Sequence, residues 1–289
     1  MSLKANKKVL LLREDKSELF KGIEYEKYYC LKETGIIFKV LRKMNMLNIV
    51  FNKWKYKIKN YTTIILSENG YNTKIAKSIK KKNPNCKIIM YFWNIIEEHE
   101  EYKRILQDEN IDEFWTFDRN DAEKYNMKCN PQFYNDKIKI DKVKLEYDFL
   151  FLGRAKDRKQ ELLELEEILR EKGFNTNFKI IEDEKDYISY EEYLKLIAKS
   201  KCIIDYNQNG QIGLSLRPME ALFFNKKLLT NNSNIKNYDF YSEKNIFILE
   251  KEKTRDIKKF MNGDMEEINS NIIKNYNIDS WLNRFMVEK

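Results

Sequence analysis

The run from Cys202 to Asn232 constrains this chain more than any other. It reads CIIDY, NQNGQIG, LSLRPMEALFFNKK and LLTNN. An apolar run of strand length gives way to a loop of Gly, Asn and Gln, the loop opens a helix, and a second apolar strand follows. A strand, a polar loop and a helix N-terminus in that order make an anion site, because the N–H groups of the first helical turn have no partner inside the helix. Gly210, Gln211 and Gly213 let the loop backbone approach a ligand closely. Ser215 stands where it caps the helix or touches phosphate. Arg217 and Glu220, three residues apart, share one helix face. A guanidinium suits phosphate and a carboxylate suits sugar hydroxyls, so a nucleotide-sugar fits the pair.

An upstream segment points the same way. Asp148 to Lys159 reads DFLFLGRAKDRK, a strand followed by Gly153, Arg154, Lys156, Arg158 and Lys159. Ligands of open α/β sheets bind outside the carboxyl ends of strands. A fixed cation there stabilises a departing nucleoside diphosphate. Arg154 is the first choice for this role and Lys159 the second.

GLSLRPMEALFFNKKLL resembles the donor-site segment of GT-B-fold glycosyltransferases, in which a glycine loop enters a helix carrying a proline and a glutamate. DFLFLGRAKDRK is similar to the strand, glycine-arginine and basic loop that begin the nucleotide-binding domain of that family. More narrowly, and with NIFILEKEK from Asn245, the chain resembles bacterial glycosyltransferases of polysaccharide and lipopolysaccharide assembly. The resemblance covers the second half. Over the first 145 residues it rests on FWNIIEEHEE and FWTFDRNDAEKY. It implies two Rossmann-like α/β domains facing a cleft, a contact from Glu220 to the nucleotide ribose, and transfer of a sugar to a glycan or lipid-linked acceptor. The family often carries a second acid eight positions before that glutamate; here the place is Ile212.

The pattern along the chain agrees with two α/β units. Strands are expected at Val9–Leu12, Thr62–Leu66, Lys87–Trp93 and Phe114–Phe117, with helices at Tyr71–Lys82, Glu97–Gln107 and Arg119–Tyr125. Residues 34–60 mix apolar and Lys positions at helical spacing, as one or two amphipathic helices do. A core-packing helix with a basic outer face and a peripheral contact with an anionic membrane are the two readings of that segment. Residues 126–147 carry no period and read as a linker. Beyond it, strands at Tyr147–Leu152, Asn177–Ile181, Cys202–Tyr206, Leu228–Asn231 and Asn245–Leu249 alternate with helices at Arg158–Lys172, Tyr190–Ser200 and Ser215–Phe224. The tail from Arg255 is helical with a break near Gly263. The expected domains are 1–145 on the acceptor side, 146–270 for the nucleotide-sugar, and a C-terminal helix, 271–289, returning toward the first.

Composition narrows the partners. The net charge of +8 allows nucleic acid, an anionic membrane or a phosphorylated small molecule, and a diffuse solvated surface as well. No zinc-finger spacing, RNP signature or arginine-rich run favours nucleic acid. Four cysteines without a CxxC pair and one histidine argue against a zinc site and fit buried thiols in a reducing cytoplasm. DRND at 118–121 and DEKD at 183–186 lack the spacing and setting of a DxD metal site, so no metal or other cofactor is expected. No signal peptide or 18-residue apolar run stands in the sequence, so the expected location is cytoplasmic, with peripheral contact at the inner membrane face as the variant.

Three first-half residues compete as a base for the acceptor hydroxyl: His99, the only histidine, and Glu68 and Asp118, which follow strands. The rival to an enzyme is a degenerate GT-B-like subunit that binds a nucleotide, a glycan or a partner transferase, a reading that Ile212 favours. A response-regulator-like protein fits less well, because Arg13, Glu14 and Asp15 do not make an acidic cluster after the first strand.

Overall fold

The computed structural model describes residues 9–12, 18–20, 54–69, 71, 73–208, 211–249 and 256–286. Gly210, Arg13 to Asp15 and most of the expected amphipathic segment 34–60 lie outside the described residues. The chain divides into two compact units, Met1–Asn130 and Pro131–Lys289.

The first unit runs β1 (Val9–Leu12), α1 (Trp54–Lys57), β2 (Thr63–Ser67), α2 (Thr73–Lys82), β3 (Lys87–Phe92), α3 (Glu100–Ile105), β4 (Glu113–Thr116), α4 (Arg119–Lys124) and β5 (Lys128–Cys129). Its sheet has the order β1-β2-β3-β4-β5, parallel throughout. Parallel neighbours require crossovers, which here are helical, and a sheet covered on both faces needs strands apolar on both faces. TIILS and KIIMYF meet that demand, and Ile64, Leu66, Ile88, Met90 and Phe92 are fully buried.

The second unit runs β6 (Tyr147–Arg154), α5 (Lys159–Glu171), β7 (Thr176–Ile181), α6 (Tyr190–Ala198), β8 (Ser200–Asp205), α7 (Leu216–Phe223), β9 (Lys227–Thr230), β10 (Ile246–Ile248), α8 (Ile257–Asn262), α9 (Ser270–Asn275) and α10 (Ile278–Arg284). All its strands are parallel, in the order β10-β9-β8-β6-β7. Phe149, Phe151, Ile204 and Leu229 from the sheet pack with Leu162 and Leu169 of α5 and Ile257 of α8. Two such units are the α/β, Rossmann-like pair that the alternation of elements implies. Among the described residues, no helix is long and apolar enough to cross a membrane.

Several local expectations are met with their physical cause. Gly173 ends α5 at φ 86°, its N–H bonding Arg170 O at 2.9 Å. Ser189 and Glu192 form a reciprocal capping box at the start of α6. Others differ. The helix expected over Glu97–Gln107 is interrupted at His99, whose extended backbone separates a 3-10 turn, Ile96–Glu98, from α3. The segment read as a linker holds β5, and residues 131–145 group with the second unit instead of the first. The cause is Phe133 and Tyr134, both fully buried. The Phe133 ring lies 4.6 Å from that of Trp281 in α10, and Tyr134 N donates to Tyr276 O at 2.8 Å.

Candidate functional site

The order of the second sheet fixes where a ligand belongs. From β6 the chain crosses to β7 on one side; from β8 it crosses to β9 on the other. The crevice at the carboxyl ends of β6 and β8 is therefore the topological switch point, where open α/β sheets bind ligands. Both segments singled out in the sequence end there.

At the end of β6, two guanidinium groups converge. Arg217, on the first turn of α7, donates through Nη2 to Leu152 O at 2.5 Å. Arg158, in the 3-10 turn before α5, donates to Tyr206 O and, at 3.3 Å, to Arg154 O. Both lie against the Phe151 ring, 5.4 Å from its centroid for Arg217 and 5.8 Å for Arg158. A Cβ on Gly153 would stand 2.5 Å from Arg217 Nη2 and 3.2 Å from Phe151, so a larger residue there would push the Arg217 guanidinium aside. The nearest anion is Asp205, fully buried and 3.9 Å from Arg217 Nη1. Its oxygens already accept from Ser215 at 2.7 Å and Thr230 at 3.2 Å. Burial and the charge of Arg217 depress the Arg158 pKa. The Nε of each arginine is buried without a hydrogen-bond partner. A buried donor left unmatched costs free energy, and an anion relieves both that cost and the repulsion.

The other candidates fall into place around this pair. Arg154 stacks on Tyr187, 5.3 Å from the ring centroid, and its Nε donates to the Tyr187 hydroxyl. Lys159, expected as the second phosphate cation, instead pairs at the surface with Glu182 at 2.8 Å. Its neighbour Arg158 is the cation that turns inward, at 9% exposure. Ser215 caps α7, accepting from Arg217 N at 3.2 Å. The 211–213 backbone is held by side-chain amides: Asn207 bonds Gln211 O and Gly213 O, and Asn232 bonds Ile212 O at 2.9 Å. Gln211 Nε2 donates to Gly213 O at 3.4 Å, so this side chain closes the loop on itself.

Beside the arginines opens a hollow of about 280 Å³, lined by Gly153, Arg154, Tyr187, Tyr190, Arg217 and Glu220 among others. Glu220 is fully buried at its floor. Its oxygens accept from Tyr190 at 2.9 Å and Tyr193 at 3.0 Å. Burial pushes its carboxyl up to about 7, against the pull of Arg217 and the two phenols. A carboxylate has roughly four lone-pair sites. Two are taken, one on each oxygen, which leaves one acceptor position on each. Two larger cavities, of about 520 and 430 Å³, are lined around Pro218, Phe223 and Phe240 and around Lys227 and Phe260; neither includes Arg217 or Gly153, and Arg158 lines none of the three.

The three candidate bases sit in the first unit in different settings. Asp118 is a helix cap: its Oδ1 accepts from Asn120 N at 2.8 Å and Asp121 N at 3.2 Å. Glu68 is buried after β2 and accepts from Trp93 N, Asn94 and Ser67 at 2.8–3.0 Å. Burial raises its pKa. His99 is half-exposed, with Nδ1 3.4 Å from Glu101 and its ring 4.4 Å from that of Tyr102. Asp118→Ala is expected to cost about 0.5–2 kcal/mol of stability by denaturant unfolding, whereas Asp118→Asn keeps the cap and should unfold close to wild type; an equal loss in both variants would show that the cap is not what Asp118 contributes. Among the described residues, no three His, Cys, Asp or Glu side chains gather as a metal-binding set.

No protein-family model matches the chain, and no curated protein sequence matches it. Among solved structures, the chain is similar to sucrose-phosphate synthase from Thermosynechococcus elongatus, with a TM-score of 0.51 at 11% identity. The match covers 91% of this chain and 81% of that one. Likeness at that identity is one of fold, and that fold is GT-B. The class defined here is thus a GT-B-like α/β protein with two parallel five-stranded sheets.

Proposed function

We propose that this chain is a glycosyltransferase that takes a sugar from a nucleotide-sugar and passes it to a hydroxyl of a bacterial surface glycan or lipid-linked acceptor. The observation that carries the reading is the Arg158–Arg217 pair, two partly buried cations with unmatched Nε donors at the switch point of the second sheet. A diphosphate brings the charge and the acceptor oxygens that this pair lacks. The hollow beside it offers Glu220 for the ribose. In the reaction the acceptor oxygen bonds the anomeric carbon, the bond from that carbon to the diphosphate oxygen breaks, and the arginines hold the released charge. An inverting course needs a base for the acceptor proton. Glu68 and His99 are the candidates for it from the residues themselves. The donor enters as a substrate, without a cofactor.

Two features favour a second reading, a GT-B-like subunit that binds a nucleotide or glycan without turnover. Ile212 stands where the resembled family often has an acid, and both oxygens of Glu220 are already engaged. Calorimetry against uridine, guanosine, thymidine and cytidine diphosphates and their sugars separates these readings. A selective response followed by sugar transfer or donor hydrolysis supports the enzyme. A selective response with no turnover of any donor supports the binding subunit, and a flat panel removes the donor site from both.

A further inference from the structure

The phenols around Glu220 form a chain whose direction follows from proton counting. Each tyrosine hydroxyl has one proton to donate. Tyr190 gives its proton to Glu220, and Tyr193 gives its own to the other carboxyl oxygen. Tyr134 and Tyr190 are also bonded, O to O at 2.8 Å. Since the Tyr190 proton is committed, Tyr134 is the donor in that contact. Burial, reinforced by the Glu220 charge, raises all three phenols above the ordinary tyrosine range, so they stay protonated donors. The chain therefore runs from Tyr134 to Tyr190 to Glu220, with Tyr193 arriving from the other side. An ionised carboxylate completes it. A protonated Glu220 carries a hydrogen of its own, donated either into the position left open beside the phenols or to Tyr190; in the second case the Tyr190 and Tyr134 bonds reverse and the buried Tyr134 hydroxyl needs another acceptor.

We propose that Tyr190 and Tyr193 are positioning residues, which hold Glu220 at the floor of the hollow as an ionised acceptor for ligand hydroxyls, with Tyr134 setting the direction of the chain. The assignment rests on the reading of this hollow as the donor site. The charged and titratable groups that face Glu220 are Tyr190 and Tyr193 of α6, Tyr134 of the 131–145 segment, Arg217 of its own helix and Asp205 at the end of β8. Arg217 and the phenols favour the ionised form; burial and Asp205 oppose it. That balance places the carboxyl near neutrality, up to about 7. Ligand hydroxyls add further donors to the charged form. Binding then draws Glu220 to full ionisation, and affinity rises as pH rises through that midpoint.

Two measurements on the full chain test this. The first follows the Glu220 carboxyl by infrared difference titration, assigned with Glu220→Gln. The second follows binding of uridine or guanosine diphosphate by calorimetry between pH 5.5 and 8.5. Removing a phenol donor destabilises the carboxylate, so Tyr190→Phe and Tyr193→Phe should each move both midpoints upward by about one pH unit. Tyr134→Phe keeps both donors on Glu220 and should move them less. A Glu220 midpoint that stays in place in both phenylalanine variants overturns the proposal. So does a midpoint that moves while nucleotide affinity is flat with pH. If wild type binds no nucleotide while the carboxyl midpoint moves as stated, the phenols' hold on Glu220 stands and the donor-site reading falls.

Discussion

Arg217→Ala and Arg158→Ala are each expected to weaken nucleoside-diphosphate binding by roughly 10- to 150-fold. The figure follows from losing a charge-assisted hydrogen bond worth about 1.5–3 kcal/mol. Free nucleosides, which carry no phosphate, should bind these variants as they bind wild type. Both arginines also hold backbone carbonyls, Leu152 O for Arg217 and Tyr206 O and Arg154 O for Arg158. Each substitution therefore removes structure along with a charge, and thermal stability alone is a poor readout. The ratio of diphosphate to nucleoside affinity separates the two effects. The double variant should lose less than the sum of the single losses, because both side chains share the Phe151 face and one anion. Arg158→Lys should not restore full affinity, since an ammonium cannot reproduce the fork that reaches two carbonyls. Calorimetry with diphosphate and nucleoside checks each point. Equal losses for both ligands would show that the pair does not read phosphate.

The sequence carried the strands far better than the contacts between distant residues. Apolar runs such as TIILS, KIIMYF and CIID are legible because a strand covered on both faces is apolar through its middle, with polar residues only at its ends. Gly153, Arg217 and Glu220 were legible as members of a strand-end loop and a helix face. Which cation of the 154–159 run turns inward was not. Adjacent residues at the start of a helix point about 100° apart, and the choice between Arg158 and Lys159 depends on where the 3-10 turn gives way to α5. Lys159 meets Glu182, 23 residues on, a pairing that no local pattern announces. The phenols are a stronger case. Tyr134, Tyr190 and Glu220 stand 56 and 30 residues apart in succession, and their meeting is a product of sheet order and of α6 packing beside α7. The segment 126–147 lacks a period because it is neither strand nor helix over most of its length, yet Phe133 and Tyr134 are core residues. Apolar content without a period was the available sign.

Glu220 should make the protein less stable as pH rises from mildly acid to neutral. Its folded-state carboxyl is raised from 4.5 to about 7 by burial. Between those values the folded protein keeps a proton that the unfolded chain has released. Stability falls wherever the folded state binds more protons than the unfolded one, so the contribution is fully present below the unfolded value and is lost as pH passes through the folded one. Carried across the whole interval, the loss is about 3 kcal/mol in order of magnitude. Glu220→Gln cannot ionise and should remove that slope. The amide must offer hydrogens where the carboxylate took them, so one of Tyr190 and Tyr193 has to turn its proton elsewhere, and the variant starts from a lower value at pH 4.5. The expected result is two crossing curves: wild type more stable below pH 5, and Glu220→Gln equal or better above pH 8. Denaturant unfolding at half-unit pH steps reads this directly. Parallel curves would mean that Glu220 is ionised throughout, with its charge fully met by Arg217 and the phenols; the weaker affinity expected at low pH would then have another origin.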